Sequence, residues 1–218
     1  MKTQTLSEFH SIVLIGGFNP MIFHPFWMLQ KRLISEKDVT QEKILVHEQL
    51  SRFKIGDWLE FTVNKSRCEF KVLSKDNVVL MLDLIKGMLN ALPEIPIMSI
   101  GINRGRVVKL DNDNDYYKVG AKLAPLELWN GSFKNPRLRT IAIEDTKSEN
   151  FSGTSRCVII KPAEVENVQY AIDINMNNHY DLESQNVVSA LRIIDEHANE
   201  HFTYFDCIVK NLFDKIEQ

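Results

Sequence analysis

The C-terminal segment restricts this chain more than any other. Across residues 186–216, Val187, Leu191, Ile194, Ala198, Phe202, Phe205, Val209, Leu212 and Ile216 recur at 3-and-4 spacing. That period draws one straight apolar stripe down a long helix. At 1.5 Å per residue the stripe is roughly 45 Å long, about eight turns, and it has to be buried. It can lie across a broad sheet or against its own copy in a dimer. A strand of usual length spans only about 20 Å, so one end of the stripe is expected to overhang. The overhang falls at Phe205, Ile208, Val209, Leu212, Phe213 and Ile216, the candidate interface for a second copy or a partner helix. The competing cover is the N-terminal segment with Phe23, Phe26 and Trp27, folding over within one chain.

The remaining chain supplies the sheet. Residues 10–15 read as a strand closed by Gly16-Gly17, and Pro25 opens a short helix over residues 26–34. In residues 58–63, Leu59, Phe61 and Val63 share one face. In residues 67–72, Cys68, Phe70 and Val72 point inward while Arg67, Glu69 and Lys71 point outward. With the weaker run 43–53 and turns at Gly56 and Asn64, this is an antiparallel meander with one wet face. Residues 77–92 form the most apolar helix, with only Asp83, Lys86 and Asn90 in its polar stripe, so it lies on the sheet and under something else. Residues 97–110 read as a strand broken at 101–105. A polar turn and a short helical stretch to Pro125 follow, then strands at 138–143, 157–161 and 168–176, with a hairpin loop at 149–154.

The fold expected is α+β: a mostly antiparallel sheet with a buried central helix and the long C-terminal helix packed on it. One domain over residues 1–218 is expected, with possible halves 1–110 and 111–218 and a possible duplicated three-strand-plus-helix unit. The shared Ser66-Arg67-Cys68 and Ser155-Arg156-Cys157 fall on non-matching strands of those units and count as chance.

Composition removes several function classes. Lys and Arg number 26 against 29 Asp and Glu, a net charge of -3 that opposes a nucleic-acid grip, including one through Arg104, Arg106, Arg137 and Arg139. Cys68, Cys157 and Cys207 are odd in number and far apart, which supports neither a disulfide framework nor a zinc knuckle. The uncharged run 9–30 has the length of a membrane span, but Gly16-Gly17, Asn19-Pro20 and His24-Pro25 break it, and Glu8 spoils a signal peptide. A cytoplasmic protein without a membrane partner is expected.

Four constellations could carry chemistry. His197, Glu200 and His201 fit the H-x-x-E-H pattern of inverted zinc peptidases, which makes His197 and His201 the candidate metal ligands. Against this, no third ligand follows well downstream, and Glu200 falls on the wet side of the helix. Asp111, Asp113 and Asp115 imitate half a calcium loop, but Tyr116 and Lys122 hold the positions that need glycine and glutamate. Gly101, Arg104, Gly105 and Arg106 could form an anion cradle or a bulge with exposed arginines. The apolar segment Gly17 to Trp27 could line a pocket or plug one end of the sheet. No catalytic residue and no cofactor emerge from these patterns.

Three short marks carry a resemblance: N-P-x-x-x-x-P-x-W from Asn19, I-G-I-N from Ile100, and L-x-x-I-D-x-H from Leu191 with Phe202 beyond it. Together they resemble a loose family of sporadically distributed, uncharacterised bacterial proteins of about this size. The resemblance spans most of the chain and brings no activity or catalytic residues. Its patchy occurrence implies a defence or mobile-element setting. The function expected is a non-enzymatic, self-associating interaction module within a larger assembly. The alternative is a small-molecule binder or zinc-dependent hydrolase, with a cavity between the last helix and the sheet.

Overall fold

The computed structural model describes residues 1–39, 44–145 and 154–218. In chain order the elements are β1 (Thr3–Gly16), α1 (Pro25–Gln30), β2 (Leu45–His47), β3 (Leu50–Ile55), β4 (Leu59–Asn64), β5 (Arg67–Val72), α2 (Val78–Ala91), β6 (Ile97–Leu110), α3 (Asp113–Leu123), β7 (Ile141–Asp145), β8 (Thr154–Pro162), β9 (Ala171–Asp181) and α4 (Val187–Glu217). Nine strands among the described residues make one sheet in the order β2-β3-β4-β5-β1-β6-β9-β8-β7. Every pairing in it is antiparallel. The fold is therefore α+β, with the long C-terminal helix on an antiparallel sheet.

The sheet is symmetric about its central pair. β1 and β6 are 14 residues each and run antiparallel from Thr3 opposite Leu110 to Gly16 opposite Ile97. Outward from β1 come β5, β4 and β3; outward from β6 come β9, β8 and β7. Each half is thus a long strand, a helix, a three-strand meander and a second helix, with β2 as an addition in the first. The seam falls between α2 and β6, so the second unit starts at β6 rather than after Leu110. Arg67 lies on β5 and Arg156 on β8, strands that do not correspond between the units.

Local chemistry explains most boundaries. His24 caps α1 by accepting from the Phe26 N–H, with Pro25 in the first turn. Asn112 accepts from the Asp115 N–H at the start of α3, and Asn186 from the Ser189 N–H at the start of α4. The run read as one strand at 43–53 splits into β2 and β3, which pair as a hairpin from Leu45 opposite Arg52 to His47 opposite Leu50; Lys43 lies outside the described residues. The last strand begins at Ala171 instead of Val168, because Asn167 and Tyr170 adopt positive φ (58° and 60°) and hold Val168 in a turn. Residues 149–153 of the expected hairpin loop lie outside the described residues, and Thr154 already belongs to β8.

The four α-helices of the described residues all pack on one face of the sheet, over two apolar clusters. The larger joins β1, β3, β4 and β5 to α1, α2 and the first half of α4 up to Phe202. The smaller joins the second half of α4, from Phe205, to β6, β8, β9 and α3.

The expected overhang of the stripe does not exist. Phe205, Val209 and Ile216 are buried against Val108, Leu110, Ile172, Ile174 and Val119, and Leu212 and Phe213 pack half-buried beside them. The physical reason is strand length. Fourteen residues of β6 span roughly 46 Å at about 3.3 Å each, which matches the 31 residues of α4. The N-terminal segment is not the cover either: Phe23 packs on Phe18, Trp27 and Phe61 in the larger cluster, over β3 and β4, and Phe26 is exposed. The expected break at 101–105 is also absent, since β6 is paired continuously on both edges.

Candidate functional site

Of the charged residues singled out from sequence, Arg104 and Arg106 arrive in one polar band beneath the middle of α4, between the two apolar clusters. Arg104 and Arg106 alternate onto the helix side of β6, opposite His10 and Glu8 of β1. Asp206 reaches down from α4. Arg104 Nη1 donates to Asp206 Oδ2 at 2.7 Å and also to the Phe202 carbonyl. Arg106 Nη2 donates to Asp206 Oδ1 at 2.6 Å and to Glu8 Oε2 at 3.1 Å, and Arg104 Nη2 lies 3.4 Å from Glu8 Oε2. Both guanidinium groups lie over the Phe205 ring, at 5.2 and 5.5 Å. Burial raises the Asp206 and Glu8 carboxyls, but the arginine hydrogen bonds and charges more than offset it, so both sit below the ordinary value.

Two cations and two carboxylates thus neutralise one another. Arg104 is only 2 % exposed. The pair proposed as an anion cradle from sequence is occupied by the chain's own acids, and the reading of exposed arginines on a bulge does not apply to Arg104.

His10 completes the band. It is buried edge-on against Phe202 at 5.0 Å, and neither ring nitrogen has a hydrogen-bond partner among the described residues. Burial, then the Arg104 charge, push its pKa down to about 4, so the ring is neutral at pH 7.

The two candidate metal ligands lie one turn further up α4, near Tyr180. His197 stacks on the Tyr180 ring at 5.5 Å, and His201 Nε2 meets the Tyr180 hydroxyl. Arg156 Nη2 lies 3.4 Å from His201 Nδ1, and Arg156 Nε donates to Asn178 at 2.7 Å. A guanidinium only donates, so Nδ1 accepts and the neutral ring gives its proton from Nε2 to Tyr180. Burial and the Arg156 charge hold the His201 pKa at about 4. Both nitrogens of His201 are committed to protein partners, and Glu200 is exposed on the other side of the helix. Among the described residues no group of three or more His, Cys, Asp or Glu side chains is placed to hold a metal ion. Asp113 and Asp115 lie in the first turn of α3, where they favour the helix N-terminus.

The surface that sequence reasoning passed over is the other face of the sheet. Among the described residues no helix packs on it. At its centre lies a trough of about 520 Å3, lined by Ser11, Asn103, Asn175, Asn177 and His179 with Phe9 and Ile159 at its sides. A second concavity of about 820 Å3 continues over β3, β4 and β5, where Arg52, Lys54, Glu60, Glu69 and Lys71 mix both signs of charge. Two glycines keep the central strand low. A Cβ at Gly105 would collide with the Phe9 ring and the Asn175 amide oxygen, which fold over the strand there. Asn103 donates to Ser11 at 3.3 Å, and Asn175 to Asp173 at 2.7 Å.

The signal for this face was present in the sequence as polar residues at period two: Gly101, Asn103, Gly105 on one strand and Asn175, Asn177, His179 on another. Amides dominate its lining, with Arg67 and Glu69 at one side. Amides donate and accept without charge, and burial together with the Glu144 charge keeps the Cys157 thiol above its ordinary value, hence protonated.

No helix among the described residues is long and apolar enough to cross a membrane. No protein-family model matches the chain, and neither a curated protein nor a solved structure is significantly similar to it.

Proposed function

We propose that this protein is a non-enzymatic interaction module of a larger cytoplasmic assembly, and that it docks a partner protein on the concave, helix-free face of its sheet. The observation that carries this reading is the amide-lined trough across the junction of the two units. A sheet face of this extent, concave and without covering helices, is a surface for another molecule. The stripe of α4 serves the chain's own core, so self-association through Phe205, Val209 and Ile216 has no surface left there. For self-association this favours another part of the molecule.

The test is co-purification from the native host with intact protein and with an Asn175→Arg, Asn177→Arg variant. Both substitutions point away from the core, so folding is expected to survive. A partner retained by the intact protein and lost by the variant supports the reading; one retained by both defeats it.

The alternative is a small-molecule binder or zinc-dependent hydrolase working between α4 and the sheet. A groove of about 270 Å3 with Arg106, Asp206 and Lys210 on its wall favours it. Metal analysis decides this cheaply: stoichiometric zinc, lost on His197→Ala, would overturn the interaction reading.

A further inference from the structure

Two long strands lie at the centre of the sheet, and half of one is bare along its edge. β6 is paired by β1 along its whole length and by β9 from Ser99 to Lys109. β1 is paired by β6 throughout, but β5 reaches only His10 to Ile15. Beyond that point the chain leaves the sheet through Leu73 and a short 3-10 turn (Lys75–Asn77) into α2. Among the described residues, no strand and no turn pairs with the outer edge of residues 3–9. Seven residues at about 3.3 Å make a notch of roughly 23 Å. About half of the backbone N–H and C=O groups along it point away from β6, with no backbone partner among the described residues. A bulge between Thr5 and Ser7 locally interrupts the register on the β6 side.

The second unit shows what belongs in such a position. The part of β6 that corresponds to the bare part of β1 is residues 97–103, and β9 covers it from Ser99 to Asn103 with residues 177–181. That segment runs antiparallel, with Asn178 and Tyr180 buried on the helix side and Asn177 and His179 on the trough side. Beside the notch the helix side is open: Thr5, Arg106, Val209, Lys210 and Phe213 line the groove between β1 and α4. Where the chain leaves β5 it carries Leu73, Val79 and Leu80, which are 57 %, 63 % and 52 % exposed.

We propose that the bare edge of β1 is a strand-docking site. It takes an extended segment of a partner protein, antiparallel to β1 and about six residues long, with an apolar side chain at every second position. Backbone groups of residues 3–9 supply the ladder. The groove beside Val209 and Phe213 receives the apolar side chains, as α4 receives the Tyr180 ring against His197 and His201 in the other unit. A second copy of this chain is the poorer occupant. Its β1 brings its own β6 one row further out, at the level of the β3–β4 turn at Gly56, where the two would collide. The inference goes beyond docking on the sheet face, since it uses an edge and main-chain pairing; it rests on the reading that the protein binds partners.

The probe is a synthetic peptide with the sequence of Ala171–Asp181, compared with an analogue N-methylated at alternate residues, with backbone amide exchange followed residue by residue in the full chain. In the chain alone, amides within residues 3–9 that point outward are expected to exchange fast. Saturating unmodified peptide is expected to slow them at least tenfold, while the analogue lacking the facing N–H groups is not. Four results would overturn the proposal. The first is slow exchange in a monomeric sample without peptide, and the second is no protection at millimolar peptide. The third is protection that instead follows protein concentration together with a dimer in light scattering, which would make a second copy the occupant. The fourth is equal binding by both peptides with protection confined to β6 and β9, which would place the peptide on the sheet face and leave the face-docking reading standing.

Discussion

The two units share an architecture and differ in length. The first has strands of six residues flanking β1 and a 14-residue helix; the second has strands of 9 and 11 residues flanking β6 and a 31-residue helix. Length decides what each unit can bury. The short strands of the first unit pack a dense aromatic core, with Phe53, Phe61 and Phe70 in ring contact, but among the described residues leave the outer edge of half of β1 without a strand. The long strands of the second give α4 a bed for its whole stripe and leave β6 no free edge. One long helix then ties both cores together, and the polar band lies where it crosses between them.

The strongest way to break this picture is to weaken each core separately. Phe61→Ala in the first and Phe205→Ala in the second should each cost about 3–5 kcal/mol, the range for a fully buried phenylalanine. Because α4 spans both clusters, denaturant curves read by two probes, one in each unit, should shift together in one transition. Two separated transitions would show that the units fold independently and that α4 does not couple them.

Acid sharpens the role of the junction. His10 and His201 have pKa values of about 4 in the folded protein, against about 6.5 unfolded. Both are lowered, so the unfolded chain binds protons first. Stability should be flat above about pH 6.5 and fall as pH drops from there towards 4. The loss is at most about 3 kcal/mol per histidine. Below pH 4 the carboxyls of Glu8 and Asp206, held low by Arg104 and Arg106, add a further loss as they protonate. Urea midpoints at pH 7.5 and 4.5 check this. His10→Leu should remove about half of the histidine-linked difference; an unchanged difference would mean that His10 is not held neutral.

The smallest effect separates two glycines of one strand. At Gly105 an added methyl meets the Phe9 ring and Asn175, and Gly105→Ala should cost about 1–3 kcal/mol. At Gly101 the nearest atom to an added Cβ is 3.4 Å away, an ordinary contact, so Gly101→Ala should stay within about 0.5 kcal/mol. Combining Gly105→Ala with Phe9→Ala should recover part of the loss. Equal costs at both glycines would contradict the folded-over Phe9 and Asn175.

Much of the fold was legible in one dimension. The alternation of Leu59, Phe61 and Val63, the apolar breadth of α2 and the stripe of α4 are periodic patterns, and period alone tells which face is buried. The caps at Asn112 and Asn186 are likewise local, closed within three residues. The doubling of the strand–helix–meander–helix order was readable too.

What the sequence could not determine was set by partners far along the chain. Arg104 and Arg106 look like an anion site until Glu8 and Asp206, roughly a hundred residues away on either side, close on them. His197 and His201 look like metal ligands until Tyr180 and Arg156 engage the His201 ring. The stripe looks too long for a sheet until β6 proves twice the usual strand length. Charge pairing and burial depend on distance in space, which falls steeply and has no period in the sequence, so only the tertiary structure could decide which polar residues face inward to one another and which face, and which edge, remain open.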